Sequence, residues 1–363
     1  MAGEEGTAVW REPARGGIPD PRVFQLSPDD FQRVFEAGKF PLPPLSHLTG
    51  TIFRDGDDER TLWEMPASPW CLSSQDVIPG GLLGVVADMA LGSALSRRVR
   101  TLFSTSEMSF AFVRPATAAS GVLTAEGRFV SLTGRLGLSD CTITDSDGEV
   151  IARTTARNVT AGAMPASDSP FDASDPAAVD ALIESLPKVP DVPKDPPDPH
   201  LRPVVGEVLA RDTWERLGGR HVLEGQIAGS LPMPPIHHLT GIRPTAVGDG
   251  EVDFAMPASL WLTSGFGIVQ GGFVAFLGYS ALASATQTTT EPGMAHVPVD
   301  LKVNFLRPVF ADPELGELTA HGHVVHRGRT LSVADAEVRG IDGKMVAVAR
   351  GTSMVLADSP ATG

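Results

Sequence analysis

Ile78–Leu95 reads IPGGLLGVVADMALGSAL, an almost wholly apolar stretch broken once by an acid, Asp88. It is too short to cross a bilayer comfortably. Pro79 suits the first turn of a helix, and the Gly80-Gly81 pair lets the backbone enter it tightly, so the spacing predicts a helix from about Pro79 to Arg98. Small or apolar residues on nearly every side predict a helix enclosed by its neighbours. A carboxylate inside such a helix costs several kcal/mol unless a specific partner accepts it. Asp88 is therefore the first candidate functional residue.

The stretch occurs twice. Ile268–Ser284 reads IVQGGFVAFLGYSALAS, with Gly271-Gly272 in the place of Gly80-Gly81, an offset of 272 − 81 = 191. The same offset relates PPLSHLTG from Pro43 to PPIHHLTG from Pro234, and MPASPW from Met65 to MPASLW from Met256. FVRP ending at Pro115 recurs as FLRP ending at Pro308, an offset of 193, so about two residues are inserted after the helix. A period this long means two copies of one domain rather than a solenoid.

The 363 residues suffice for two or three domains, and 42% apolar content describes a globular chain that buries real cores. A net charge of −15 argues against general binding to nucleic acid or anionic membrane. Part of that charge is local: residues 161–200 hold eight acids, two lysines and nine prolines, a balance of −6. Cys71 and Cys141 match no metal or redox spacing and suit a reducing compartment. The start, MAGEEGTAVWREP, has neither the basic nor the apolar region of a secretory signal, and the expected location is cytoplasmic.

Read in order, residues 1–41 form an extension with one short helix at SPDDFQRVFEAG, capped by Ser27. Repeat one covers 42–162, with strand signals in LTGTIF and TLWEMPA, the central helix, and four strands after it. An acidic, proline-rich linker with helices follows at 163–230, carrying one helix at DPAAVDALIESL and another over about Glu207–Gly218. Repeat two covers 231–358 in the same element order. A helix followed by antiparallel strands on short turns is an α+β pattern.

A glycine pair opening a buried helix, an acid seven residues later and a strand ending in F-(V/L)-R-P together resemble the hotdog-fold acyl-CoA thioesterases, of the PaaI-like and 4-hydroxybenzoyl-CoA thioesterase type. The resemblance spans about 43–160 and 234–356 and implies two tandem hotdog domains, each an antiparallel sheet wrapped around a central helix, forming an internal pseudo-dimer. That family's signature is roughly N-x-x-G-x-x-H-G-G followed by an acid on the helix. In repeat one, Ser73 stands for the asparagine, Pro79 for the histidine, and Asp88 is the acid. In repeat two, Ser264 and Gln270 hold the corresponding positions in SGFGIVQGG, and the acid position is Tyr279. A further hydroxyl position falls on Thr105 in repeat one and on Pro298 in repeat two.

The family shares each active site between two protomers, and a fusion releases the two sites from symmetry. The resemblance thus implies one working site per chain: Asp88 and Thr105 facing Ser264, Gln270 and Gly271. The reciprocal set, Tyr279 and Pro298 with Pro79 and Gly80, has neither acid nor base. At the working site the Gly271 N–H and helix dipole would polarise a thioester carbonyl. Gln270 would hold the carbonyl or a water, Gly272 would let the substrate approach, and Thr105 would position the carboxylate. Asp88 acts either as nucleophile or as general base, and both readings stand at this point.

Coenzyme A arrives as part of an acyl-CoA substrate, with no separate cofactor or metal expected. Arg135, Arg329 and Arg327, at hairpin tips, are the candidates for its phosphates; Arg114 and Arg307, in the R-P pairs, read as structural. His47 and His238 occupy the same place in both repeats and read as turn or core residues. A homodimer of double hotdogs is consistent with the resemblance. Two other functions are weighed: a non-catalytic acyl-CoA-binding or sensing protein, and a hydratase, which would want an Asp and a His a few residues apart at the helix entry. Asp76 is followed by Val77, Ile78 and Pro79, with no nearby histidine.

Overall fold

Alternating burial builds the sheet. Along Leu136–Thr144 the residues Gly137, Ser139, Cys141 and Ile143 turn inward, and along Leu331–Arg339 Ser332, Ala334, Ala336 and Val338 do the same. The computed structural model describes residues 8–99, 102–160, 171–190, 195–265, 267–312 and 314–356. The expected boundaries at 162, 163 and 358 lie outside the described residues.

The first half comprises α1 (Pro28–Glu36), α2 (Pro44–Thr49), β1 (Ile52–Gly56), β2 (Arg60–Pro66), α3 (Gly84–Val99), β3 (Phe103–Phe112), β4 (Val122–Thr133), β5 (Leu136–Thr144) and β6 (Val150–Thr160). Three helices connect the halves: α4 (Pro176–Ser185), α5 (Arg211–Arg216) and α6 (Gly219–Ile227). The second half has α7 (Pro235–Thr240), β7 (Arg243–Val247), β8 (Glu251–Pro257), α8 (Gly271–Gln287), β9 (Ala295–Pro298), β10 (Asp300–Phe305), β11 (Glu317–Arg327), β12 (Leu331–Arg339) and β13 (Met345–Leu356). The strands form one antiparallel sheet in the order β1-β2-β4-β5-β6-β3-β10-β13-β12-β11-β8-β7, with β9 on β13. Each half is a hotdog, and β3 pairs with β10 at the seam, Met108 opposite Val303.

Helices α3 and α8 lie inside this curved sheet, and the sheet yields to them at glycines. A Cβ on Gly127 would sit 2.3 Å from the Ala90 carbonyl oxygen, and one on Gly322 would sit 2.3 Å from that of Ala281. The two helices also meet each other: a Cβ on Gly272 would lie 2.3 Å from the carbonyl carbon of Gly84. One apolar core therefore runs through both repeats, from Leu45, Leu48 and Leu91 to Phe273, Leu277 and Leu282.

Paired hydrogen bonds display the pseudo-two-fold. Leu45 N–H donates to the Thr263 carbonyl at 3.2 Å, and Ile236 N–H donates to the Leu72 carbonyl at 3.2 Å. The relation reaches well upstream of residues 42 and 231. Helices α1 and α6 are related by 219 − 28 = 191. The indole of Trp261 donates to the Glu12 carbonyl at 3.0 Å, as that of Trp70 donates to the Arg202 carbonyl at 2.9 Å, an offset of 202 − 12 = 190. The segment around Glu12 thus packs on repeat two and the segment around Arg202 on repeat one, and the chain from Pro199 to Ser230 is the opening of the second repeat unit. Among the described residues helix α4 has no such mate; Asp175 caps it by accepting from Ala177 N–H at 3.0 Å.

Two expectations need correction. LTGTIF does not begin as strand: Pro44–Thr49 is a helical turn with proline at its start and Gly50 as a left-handed cap (φ 76°), and the strand starts at Ile52. The helix expected over Glu207–Gly218 is only Arg211–Arg216. The longer α6 follows it, because Gly218 serves as an N-cap in extended conformation rather than as a terminator.

Candidate active site

Asp88 stands at the second turn of α3, one turn before Gly92, and lines a cavity of about 820 Å³. Asp88 is half-buried and opens on this cavity. Thr105, on β3, donates its hydroxyl to Asp88 Oδ1 at 2.6 Å. The backbone N–H of Gly271, the first residue of α8, donates to the same carboxyl group. A Cβ at Gly271 would lie 3.0 Å from Asp88 Oδ2. Burial pushes the Asp88 carboxyl up to about 6, against the pull of Thr105 and Gly271. A helix start facing a carboxylate from the other repeat is an anion-stabilising arrangement.

Asn158 was not anticipated. It is fully buried on β6, opposite Thr105, and its Oδ1 lies 3.0 Å from the Thr105 hydroxyl. A hydroxyl carries one proton, and the shorter contact assigns it to Asp88. Among the described residues, Asn158 is the wall that fixes the Thr105 rotamer. Strand register is the signal that would have revealed it, and register is not visible in a single strand's sequence.

Gln270 is the N-cap of α8. Its Oε1 accepts from Gly272 N–H at 3.0 Å, and its Nε2 donates to the Val85 carbonyl on α3 at 3.1 Å. The amide is thus engaged at both ends, one Nε2 hydrogen remains unpaired among the described residues, and Gln270 lines the cavity. Ser264 also lines the cavity, its hydroxyl 3.5 Å from the Ile268 carbonyl. Gly267 adopts φ 69° two residues before Val269, and Asp76 takes its place in repeat one at φ 62°. Gly272 faces α3 rather than the cavity: the close approach to Gly84 fills its surroundings.

The reciprocal position, related by the pseudo-two-fold, lacks the acid. The Gly80 N–H donates to the Tyr279 hydroxyl, and burial pushes that phenol up to about 12. Tyr279, Pro298 and Pro79 line a separate cavity of about 120 Å³, shared with His296. Burial holds His296 down to about 4, hence neutral. No carboxylate lines this second cavity among the described residues.

A model of the Thioesterase superfamily matches residues 76–152 and 266–347. A Pseudomonas aeruginosa protein named "Putative esterase PA1618" is 30% identical over 122 residues, 33% of this chain and 81% of its own. The chain belongs to the thioesterase superfamily. A Haemophilus influenzae "Putative esterase" is 29% identical over 121 residues, 33% of this chain and 84% of the relative. Among solved structures, the tesB protein of Mycobacterium avium subspecies paratuberculosis superposes with a TM-score of 0.52 at 12% identity, covering 86% of this chain and 98% of that one. A hot dog fold protein of Alicyclobacillus acidocaldarius gives 0.51 at 16%, covering 86% and 98%. These two share the fold. This member of the thioesterase superfamily is a thioester hydrolase with two hotdog domains in tandem.

The arginines are distributed differently from the sequence expectation. Arg135 is exposed and donates from Nε to the Thr160 hydroxyl at 3.1 Å, outside the cavity wall. Arg327 donates to the Thr289 carbonyl at 2.6 Å. Arg329 is exposed on the same hairpin, next to Thr330, whose carbonyl accepts from Val355 N–H at 2.9 Å. Val355 pairs with His296, so this hairpin adjoins the second cavity. Arg307 is exposed and lines the first cavity, with no side-chain hydrogen bond or ion pair among the described residues. Arg114, its mate in repeat one, is instead paired with Glu149. His47 Nδ1 lies 2.9 Å from the Asp198 carboxylate, and the buried His238 packs edge-on against His237, both away from the cavity.

Proposed function

We propose that this thioesterase hydrolyses acyl-CoA thioesters to free acid and coenzyme A at one composite site per chain, with Asp88 and Thr105 from repeat one and Gly271, Gln270 and Ser264 from repeat two. The observation that carries the reading is the meeting of the Asp88 carboxyl with the Gly271 N–H at the wall of the large cavity. A fixed N–H at a helix start is the donor a developing oxyanion needs, and losing one such donor costs about 3–4 kcal/mol in acyl-transfer sites.

In this reading the thioester carbonyl takes the Gly271 N–H from Asp88. The released carboxylate loses a hydrogen bond and becomes the stronger base. Asp88 removes a proton from a water, whose oxygen attacks the carbonyl carbon. The tetrahedral oxyanion is held by Gly271, and its collapse breaks the carbon–sulfur bond. The thiolate then takes the proton back from Asp88. A carboxyl group near 6 favours the base over the nucleophile. Thr105 holds Oδ1 and leaves Oδ2 to the water. Ser264 and the remaining Gln270 hydrogen are positioned to orient that water or the carbonyl. Arg307 is the favoured partner for a CoA phosphate, with Arg135 beyond it, while Arg327 and Arg329 belong to the other end of the molecule. A cytoplasmic location is part of the same proposal, in keeping with two free buried thiols.

Thiol release from acyl-CoAs by wild type and Asp88→Asn tests the function. Turnover that survives the substitution overturns the one-site assignment, and binding without thiol release overturns CoA-ester hydrolysis. A single turnover in ¹⁸O-water tests the step: the base mechanism puts the label in the released acid, and label on Asp88 would assign it as nucleophile.

A further inference from the structure

Helices α1 and α6 are pseudo-symmetry mates with opposite consequences. Gly219 opens α6, and a Cβ there would lie 2.0 Å from the Gln287 carbonyl oxygen, so α6 lies flush against the end of α8. Gln226 then bridges to Ser74 at 2.7 Å, and the cavity beneath is reduced to about 120 Å³. In α1 the positions equivalent to Val222 and Gln226 are Phe31 and Phe35, and both face the 820 Å³ cavity. Helix α1 packs against α4, and the Arg97 guanidinium of α3 lies 5.9 Å from its Phe31 ring. Val23, Leu26 and Val34 bury against Val179, Leu182 and Leu186 in a cluster separate from the main core. Lys39 Nζ adds bonds to the Ile183 and Glu184 carbonyls at 2.7 and 2.9 Å. Both α1 and α4 lie outside the segments that match the superfamily model.

Inside the chamber, the face of α3 that carries Asp88 continues through Gly92, and a Cβ built on Gly92 meets nothing within 4 Å. The equivalent residue in repeat two, Ala283, is buried. The open volume therefore lies one helical turn beyond the acid, roofed by Phe24, Phe31, Phe35 and Phe40. Its size is near the top of the range of pockets that enclose drug-sized ligands.

We infer that α1, packed on α4, is the wall of an acyl chamber that selects large apolar acyl groups, chains of about ten carbons or fused aromatic rings, with Phe31 and Phe35 as specificity-determining residues and Gly92 as the opening between acid and chamber. The inference rests on the thioester-hydrolase reading of the Asp88 cavity. Wild type, Gly92→Phe and Phe31→Ala are compared on acetyl, decanoyl and 2-naphthoyl thioesters. Each acyl group is presented both as the CoA ester and as the N-acetylcysteamine ester, and thermal stabilisation by decanoic acid is measured alongside. Gly92→Phe adds helix propensity and its Cβ meets nothing within 4 Å, and a thermal melt of the variant checks that the fold is retained.

Wild type should favour the large esters over acetyl by at least tenfold in kcat/KM. Gly92→Phe should reduce that ratio at least tenfold and abolish stabilisation by decanoic acid. Phe31→Ala should change the ratio of decanoyl to 2-naphthoyl. A wild-type preference for acetyl, or a Gly92→Phe loss equal across acyl groups, overturns the chamber. Turnover of cysteamine esters but not CoA esters would instead overturn the CoA reading and leave the chamber standing. If no ester turns over, decanoic acid that stabilises wild type and Gly92→Phe equally, or neither, overturns the chamber.

Discussion

Asp88 in the first repeat accepts a hydrogen bond from the backbone N–H of Gly271 in the second, 183 residues away. The arrangement places a carboxyl group, a helix start and a cavity at one point. Asp88→Asn should therefore reduce kcat at least a hundredfold while acyl-CoA binding persists, measured by thiol release and by calorimetry.

The same carboxyl group sets the pH dependence. With Asp88 raised to about 6, kcat/KM should climb tenfold per pH unit below that value and level off above it. A profile that stays flat down to pH 4.5 would remove Asp88 as the base.

Burial of Asp88 has a stability consequence of opposite sign. Its folded value, about 6, lies above its ordinary 3.8, so its contribution is most favourable below 3.8 and is lost as pH rises through 6. Asp88→Asn should thus raise the melting temperature at pH 8, by a free energy of at most about 3 kcal/mol. The gain should vanish near pH 4, as read by thermal melts across pH.

Adjacent glycines should fail differently. Gly271→Ala places a methyl 3.0 Å from Asp88 Oδ2 and should lower kcat by about a hundredfold with little change in melting temperature. Gly272→Ala drives a methyl into the Gly84 backbone at 2.3 Å and should destabilise the fold by about 1–3 kcal/mol, readable in urea titrations.

Tyr279→Phe removes the hydroxyl that accepts from Gly80 and should leave kcat within twofold of wild type. Calorimetry with a non-hydrolysable acyl-CoA analogue should count one ligand per chain; two would mean that the smaller cavity is also in use.

Arg307→Ala should raise KM for CoA esters about tenfold and leave N-acetylcysteamine esters unaffected, because only the former carry phosphates. The effect should shrink as salt is raised. Equal losses on both ester series would make Arg307 a packing residue.

The internal repeat, the two buried helices and the order of elements along each repeat were legible in the chain itself, because hydrophobic period and repeated motifs are local properties. Asp88, Thr105 and Gly271 could be named for the same reason: each sits at a fixed count from a glycine pair or an R-P pair. What tertiary structure decided is which groups meet. Gly271 and Gly272 are neighbours in sequence, yet α-helix geometry points one at Asp88 and the other at Gly84. Arg114 and Arg307 occupy equivalent motifs, but only the former has an acid across the strand turn to pair with, and the latter is left at the cavity. The kinship of α1 and α6 was hidden because little beyond an Ala-Gly pair and the following prolines survives between them. Their divergence, glycine at one contact and phenylalanine at the other, only acquires meaning when each helix is seen against the one it covers. Packing between residues nearly two hundred positions apart separates a large chamber from a small one, and no local pattern records it.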